Sequence, residues 1–435
     1  MFSKILIANR GEVAVRIIRA CKEMGIDTVA VYSEPDVDAL HVALADESYC
    51  IGPAAPSESY LNEDRIISTA MASGAQAIHP GYGFLSENAG FAEKCSENGI
   101  AFIGASPEKM KMLGDKIGIK KIMKDVGLGV IEGSQVLKGV DDALGQAEKA
   151  GYPVMLKARS GGGGKGIKLI ETPEALKNAY PISEKEAQAA FSDGSLYLEK
   201  YVHPANHIEV QILADEFGNV ICLGERDCSV QRNHQKLIEE SPSPSVSDEQ
   251  RSGLYAKCIS AVKKIGYTGV GTLEFLMDSQ GEFWFMEMNV RLQVEHAVTE
   301  MLARKDLVKW QIRVAAGVAI DFTQESLLMR GSSVECRISA RSPGRLEMLH
   351  VPGGPFVRFE TYLVQGVEIS PYYDPLLGKV IVHAGTREEA IRKMKAALCE
   401  LVIEGIDTNI EEQLEIVNDE RFRSGNYDLT IMENR

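Results

Sequence analysis

Nine residues alternate polar and apolar without a break: Glu287-Met288-Asn289-Val290-Arg291-Leu292-Gln293-Val294-Glu295. Successive side chains of an extended chain point to opposite faces. The stretch is therefore a strand with one apolar, buried face. Its other face carries two carboxylates, two amides and a guanidinium, spaced at roughly 6.6 Å. Thr and Tyr are more usual on a merely solvated strand face, so this row reads as functional. The period-two argument is firm for Glu287–Arg291 and weaker beyond, where a backbone N–H near Val294 is asked to turn into a site.

The first 104 residues alternate strand and helix. Ile5–Ala8 reads as a buried strand, Gly11–Met24 as a helix, Thr28–Tyr32 as a strand, Ala75–His79 as another, and Ser86–Cys95 as a helix with Ser86 as its N-cap. This rhythm predicts an open parallel sheet. The first turn, Ala8-Asn9-Arg10-Gly11-Glu12, is not GxGxxG, so a dinucleotide site is weakly supported. Further on, the strand Tyr152–Ala158 runs into Arg159-Ser160-Gly161-Gly162-Gly163-Gly164-Lys165-Gly166, and Ile167–Ile170 resumes a strand. Consecutive glycines are entropically costly. They make sense where backbone N–H groups approach a phosphate, with Lys157 aimed at the same charge. Lys165 is followed by Gly166, so the loop is not a Walker A motif and reads as a lid.

Ser195–Val202 and His207–Ala214 read as strands. The polar run Glu225–Lys236 follows an apolar strand and reads as a site wall. Glu274, in the strand Gly271–Leu276, can face Glu287 across a hairpin. Two carboxylates with Asn289 form an oxygen donor set suited to Mg²⁺ or Mn²⁺. Facing like charges repel without a cation.

The net charge of −15 argues against a nucleic-acid partner. No apolar run is long enough for a membrane span. The eight cysteines show no CxxC or zinc spacing, which suits a reducing, cytoplasmic location.

Together the strings Ile7–Glu12, His79–Asn88, Gly114-Asp115-Lys116, the glycine loop, Glu225–Lys236, Glu287–Glu300 and Val334–Ile338 closely resemble the biotin carboxylases of the ATP-grasp superfamily. The resemblance spans Met1 to Glu433 in the family's order. It implies an α/β first unit (1–112), an ATP-grasp unit (113–328, lid about 131–202) and a C-terminal unit (329–435), the later two α+β. It implies a ligase that carboxylates biotin on a separate carrier protein, using ATP, bicarbonate and two Mg²⁺ or Mn²⁺ sites. Lys116, Lys157 and Gly162, Gly163 and Gly164 would hold ATP phosphates. Glu199, Lys200 and Val202 would meet the adenine, His207 the ribose, and Gln231, His234 and Leu276 would also bind ATP. Glu274, Glu287 and Asn289 would bind metal. Lys236, Arg291, Gln293 and Val294 would hold bicarbonate, Glu295 would be the general base, and Arg337, with Tyr82, would serve biotin.

The partners implied are a biotin carboxyl carrier protein, carboxyltransferase subunits and a second copy of the chain. The foremost expectation is a stand-alone subunit of acetyl-CoA carboxylase; the same half-reaction for a pyruvate or other acyl-CoA carboxylase is the alternative. Met110-Lys111-Met112 imitates a biotin-attachment tripeptide but lies in a helical context, so no attachment is expected. Compared with the family, an acidic, proline-containing loop is missing between the Arg337 strand and Ser342-Pro343-Gly344.

Overall fold

The computed structural model describes residues 1–160, 166–191 and 193–433. The glycines 162–164 and Lys165 lie outside them.

The N-terminal rhythm forms a parallel sheet ordered Glu47–Gly52, Asp27–Ser33, Lys4–Ile7, Ala77–His79, Ala101–Phe102. Ile5, Leu6 and Ile7 are fully buried. The helix Gly11–Glu23 packs Val13, Ile17, Ala20 and Cys21 against Ile5 and Ile7, while Leu6 faces the other side of the sheet. Strand order reverses between Lys4–Ile7 and Ala77–His79, and the carboxyl ends at such a reversal line a ligand crevice. Asn9 closes its floor by donating to the carbonyls of Pro80 (2.7 Å) and Tyr82 (2.8 Å). Ser86 is not the helix cap. The helix runs Ala89–Glu97 and is capped by Asn88, whose side chain accepts from Phe91 N–H. Lys111 lies within the helix Pro107–Gly114 and pairs with Glu93.

One antiparallel-dominated sheet organises the rest. Among the described residues it runs Val357–Thr361, Leu376–Ala384, Ser332–Ser339, Gln235–Ser241, Val220–Arg232, Ala205–Ala214, Gly269–Asp278, Phe283–Asn289, Gly129–Val130. The run Glu225–Lys236 is thus mostly strand, two adjacent strands joined by a tight turn. Its turn is Asn233-His234, both at positive φ (52° and 63°), the signature of a two-residue hairpin. The sheet crosses the expected division near 325–331, because Ser332–Ser339 pairs directly with Gln235–Ser241. On one face Val334, Cys336, Ile338, Val380 and Val382 pack against the helix Arg387–Glu400. The opposite face is charged and meets the helix His296–Ala303.

A separate antiparallel sheet, Ile167–Ile170, Val154–Ala158, Leu196–Lys200, carries its own small core with the helices Val140–Ala150 and Pro173–Phe191. After Arg337 the chain returns tightly: Ala340 bridges to Thr408 and Arg341 N–H donates to the Asp407 carbonyl at 2.8 Å. The described helices include none long and apolar enough to cross a membrane.

Buried ion pairs tie these parts together. Glu300 accepts from Arg16 (2.9 Å) and Arg358 (2.8 Å), joining the N-terminal helix to a C-terminal strand. Burial alone would raise Glu300, but Arg16 and Arg358 hold it well below the ordinary glutamate value. Asp36 beside Arg10, and Glu199 beside Lys157 and Lys120, are lowered in the same way against the opposing effect of burial. A carboxylate lowered by folding stabilises the protein above its unfolded value, and that stability is lost as pH falls toward the folded value. The melting temperature is therefore expected to decline once pH drops below about 4.5, the ordinary glutamate value. A thermal scan against pH checks this, and the acid decline should be shallower in Glu300→Gln.

Candidate active site

The strand Phe283–Asn289 ends earlier than the alternation suggests. Glu287 pairs with Glu274 across the Gly269–Asp278 strand, as the hairpin reading expects. From Val290 the chain leaves the sheet and turns into the helix His296–Ala303. Three of the polar side chains are buried rather than solvated, Asn289 at 7% exposure, Gln293 at 4% and Glu295 at 0%, while Glu287 and Arg291 are half-buried.

Lys236, on the Gln235–Ser241 strand, is the hub. Its ammonium reaches Glu295 (2.5 Å), Glu209 (2.7 Å) and Glu274 (3.5 Å). Burial opposes its charge, yet these carboxylates raise Lys236 well above the ordinary lysine value. Glu295 also accepts from Arg337 at 2.9 Å. Burial pushes Glu295 up, but Lys236 and Arg337 outweigh it and hold it well below the ordinary value, so it is a carboxylate. Arg337 is largely covered, and its Nε donates to Glu239 at 2.6 Å. Burial pushes Glu239 up to about 7 despite that partner.

The facing carboxylates Glu274 and Glu287 are compensated from both sides. Glu274 receives Nδ2 of Asn289 (2.7 Å), Nε2 of Gln293 (2.7 Å) and the His207 ring (3.0 Å). Glu287 pairs with Lys116 at 3.0 Å. Protein cations and N–H donors thus gather where like charges would otherwise repel. Ligand atoms of His207, Glu209 and Glu274 lie within 4.8 Å of one another, all buried. This oxygen-rich set fits a hard divalent cation.

Lys157 and Lys120 both pair with the buried Glu199; Lys157 and Glu199 share the small sheet, and Lys120 ties it to the helix Lys116–Asp125. Gln231 donates to His207 Nδ1 at 2.6 Å. Leu276 stands opposite His207 in the sheet and is half-buried. Lys200 and His234 are exposed, His234 at the hairpin tip, and Val202 lies just past its strand; these three make no side-chain contact with the carboxylate cluster. Arg291 donates to Glu87 (3.1 Å) and to Asn289 (3.2 Å), so the His79–Asn88 segment does reach the site.

A cavity of about 330 Å³ opens at the strand-order reversal, lined by Arg10, Glu12, Tyr82, Phe84, Tyr373 and Asp374 among others. Tyr82 donates its hydroxyl to Glu12 there.

Sequence reasoning missed Glu209, Glu239, Glu12, Glu87, Lys120 and Lys379. Glu209 had a visible signal. His207, Glu209 and Gln211 alternate with Ile208, Val210 and Ile212, the same period that singled out Glu287.

A carboxylate-paired sheet, with lysines contributed from it and from a small three-stranded sheet beside it, defines a ligase of the ATP-grasp class. The comparisons narrow this. Residues 1–110 match the biotin carboxylase N-terminal domain, 115–323 the carbamoyl-phosphate synthase L chain ATP-binding domain, and 336–434 the biotin carboxylase C-terminal domain. The chain is 49% identical to biotin carboxylase 1 of Bacillus subtilis over 100% of this chain and 98% of that one. A Campylobacter jejuni biotin carboxylase, solved in a β-γ-ATP complex, superposes with a TM-score of 0.97 at 48% identity, covering 99% of this chain and 98% of that one. The biotin carboxylase domain dimer of Hydrogenobacter thermophilus 2-oxoglutarate carboxylase, solved with MgADP, ADP and bicarbonate, gives 0.96 at 47% identity, over 99% and 97%. The chain belongs to the biotin carboxylase family and is an ATP-dependent ligase.

Proposed function

We propose that the chain carboxylates biotin on a separate carrier protein, as the first half-reaction of an acetyl-CoA carboxylase, and that it works as a homodimer. The observation that carries the chemistry is one carboxylate, Glu295, held between Lys236 and Arg337. Bicarbonate is a poor nucleophile until it loses its proton. In the cluster as it stands, Glu295 is a weak base because two cations face it. A bicarbonate anion shared between Lys236 and Arg291 draws that positive charge away, which raises the proton affinity of Glu295 as the substrate arrives. The deprotonated oxygen can then attack the γ-phosphate of ATP to give carboxyphosphate and ADP. Lys116 and Lys157 exchange Glu287 and Glu199 for phosphate oxygens. Glu274, Glu287 and Asn289 would hold Mg²⁺ or Mn²⁺, which supplies charge neutralisation at the phosphates.

The small sheet bearing Lys157, closing over the nucleotide, would keep water from carboxyphosphate. Arg337 would hold the ureido oxygen of biotin as negative charge develops on it. That charge makes the ureido nitrogen nucleophilic toward the carboxyl carbon; as the N–C bond forms, the C–O bond to phosphate breaks and the departing phosphate takes the ureido N–H proton.

The dimer follows the Hydrogenobacter relative, which is described as one. The same relative keeps a second reading open, with the half-reaction serving an oxo-acid carboxylase such as a 2-oxoglutarate or pyruvate carboxylase. The test is ADP formation with bicarbonate and free biotin each supplied or withheld. Turnover is expected to require bicarbonate and to rise with biotin. Turnover indifferent to both would overturn the proposal. Assay with carrier and each candidate carboxyltransferase then separates the acceptors.

A further inference from the structure

Lys379 has no solvent exposure and stands in a strand, Leu376–Ala384, whose other residues are apolar except for His383 near its end. Its ammonium donates to the carbonyl of Val294 at 2.6 Å and meets Oε1 of Glu12 at 3.2 Å. Val294 belongs to the turn that delivers Gln293 and Glu295. Glu12 lies in the first turn of the helix Gly11–Glu23, and the same Oε1 accepts the Tyr82 hydroxyl. One buried cation therefore touches a C-terminal strand, the N-terminal helix and the central turn. Directly across the sheet from it are Arg337 on one side and Glu360 on the other.

Burying an ammonium is expensive, and an apolar residue would fill a strand position at lower cost. The placement calls for a reason, and the turn supplies one. Ladder pairing stops at Asn289, so residues 290–295 have no strand neighbour to fix them. Gln293 is anchored twice, by its side chain on Glu274 and by its carbonyl on the His296 ring at 2.8 Å. The next carbonyl, that of Val294, is held by Lys379. Fixing this carbonyl fixes the plane of the Val294–Glu295 peptide, and with it the direction in which the Glu295 side chain leaves the backbone.

We propose that Lys379 is the positioning residue that aims Glu295 at bicarbonate, with Glu12 as its counter-ion. Tyr82, through Glu12, joins the biotin side of the site to the same clamp. The inference rests on the reading of Gln293, Val294 and Glu295 as the bicarbonate residues.

Lys379→Met alone leaves Glu12 buried without its cation and can cost folding. The informative protein is therefore the double variant Lys379→Met with Glu12→Gln, which removes both charges and keeps an acceptor for Tyr82. Displacing a catalytic group by about 1 Å can cost about 10²-fold. In the double variant, KM for bicarbonate is expected to rise at least about tenfold while KM for ATP stays within about twofold. Amide hydrogen exchange across residues 290–296 is expected to accelerate. A purely structural role would lower kcat through the active fraction, leaving the bicarbonate KM and the exchange of this segment unchanged; that result overturns the proposal. If the unmodified protein shows no dependence on bicarbonate, the bicarbonate reading falls on its own. The exchange measurement still decides whether Lys379 pins the turn.

Discussion

Glu295→Gln is expected to lower bicarbonate-dependent ADP formation by about 10²–10⁴-fold, the range a positioned general base contributes. The substitution keeps the shape of the side chain and removes its charge and its proton affinity. Lys236 keeps Glu209 and Glu274 as partners, and Arg337 keeps Glu239, so neither cation is stranded in the interior. The fold should therefore persist, and nucleotide binding with it, because Lys116, Lys157 and Glu287 are untouched. The measurement is steady-state ADP release at saturating ATP and bicarbonate, with ATP affinity taken separately by calorimetry. Loss of turnover with ATP affinity intact assigns Glu295 to chemistry. Turnover close to the unmodified rate would remove Glu295 as the base.

That prediction depends on side chains that differ in how visible they are from sequence. Glu274 and Glu287 were legible because a hairpin is local: two period-two strands joined by a short turn put particular residues opposite one another. The N-terminal parallel sheet was legible from its rhythm of buried runs and amphipathic helices. Two expectations failed, for different reasons. Ser86 and Asn88 are both good caps, and only the three-dimensional start of the helix chooses between them. The alternation beyond Asn289 mimicked a strand, although its polar groups are brought together by a turn.

The roles of Glu12, Glu87 and Lys379 were hidden for a different reason. Each meets the site from a segment remote in sequence, so no local spacing encodes the contact. A lone lysine in an apolar strand, as in Gly378-Lys379-Val380, and a glutamate alternating within one, as at Glu209, are the signals such residues do leave. The continuous sheet explains why the site needs the whole chain. Lys236 and Arg337 lie on adjacent strands that the sequence separates by about a hundred residues.

Arg337→Met is expected to separate the two halves of the reaction. Arg337 touches Glu295 and Glu239 but none of the groups assigned to ATP. Removing one member of a buried ion pair ordinarily strands its partner at a cost of about 3–5 kcal/mol. Here Glu239 already sits at about 7, so it can take up a proton near neutral pH and the cost is smaller. Glu335, facing Glu239 across the strand pair, is fully buried and raised well above the ordinary value, chiefly by burial. The variant should fold.

Under the proposed function the variant removes the donor assigned to the biotin oxygen, and loss of one such donor typically costs about 10²–10³-fold. Transfer of labelled carbon from bicarbonate to biotin should fall by that factor. Bicarbonate-dependent ATP hydrolysis without biotin should survive within several-fold, since Glu295 keeps Lys236 and becomes, if anything, a stronger base once one facing cation is gone. Arg337→Lys should not rescue transfer, because a single ammonium cannot span Glu239, Glu295 and a substrate oxygen as a planar fork does. Equal loss of ATP hydrolysis and carboxyl transfer in Arg337→Met would instead place Arg337 in the phosphoryl step, and would leave the biotin oxygen without an assigned partner on this chain.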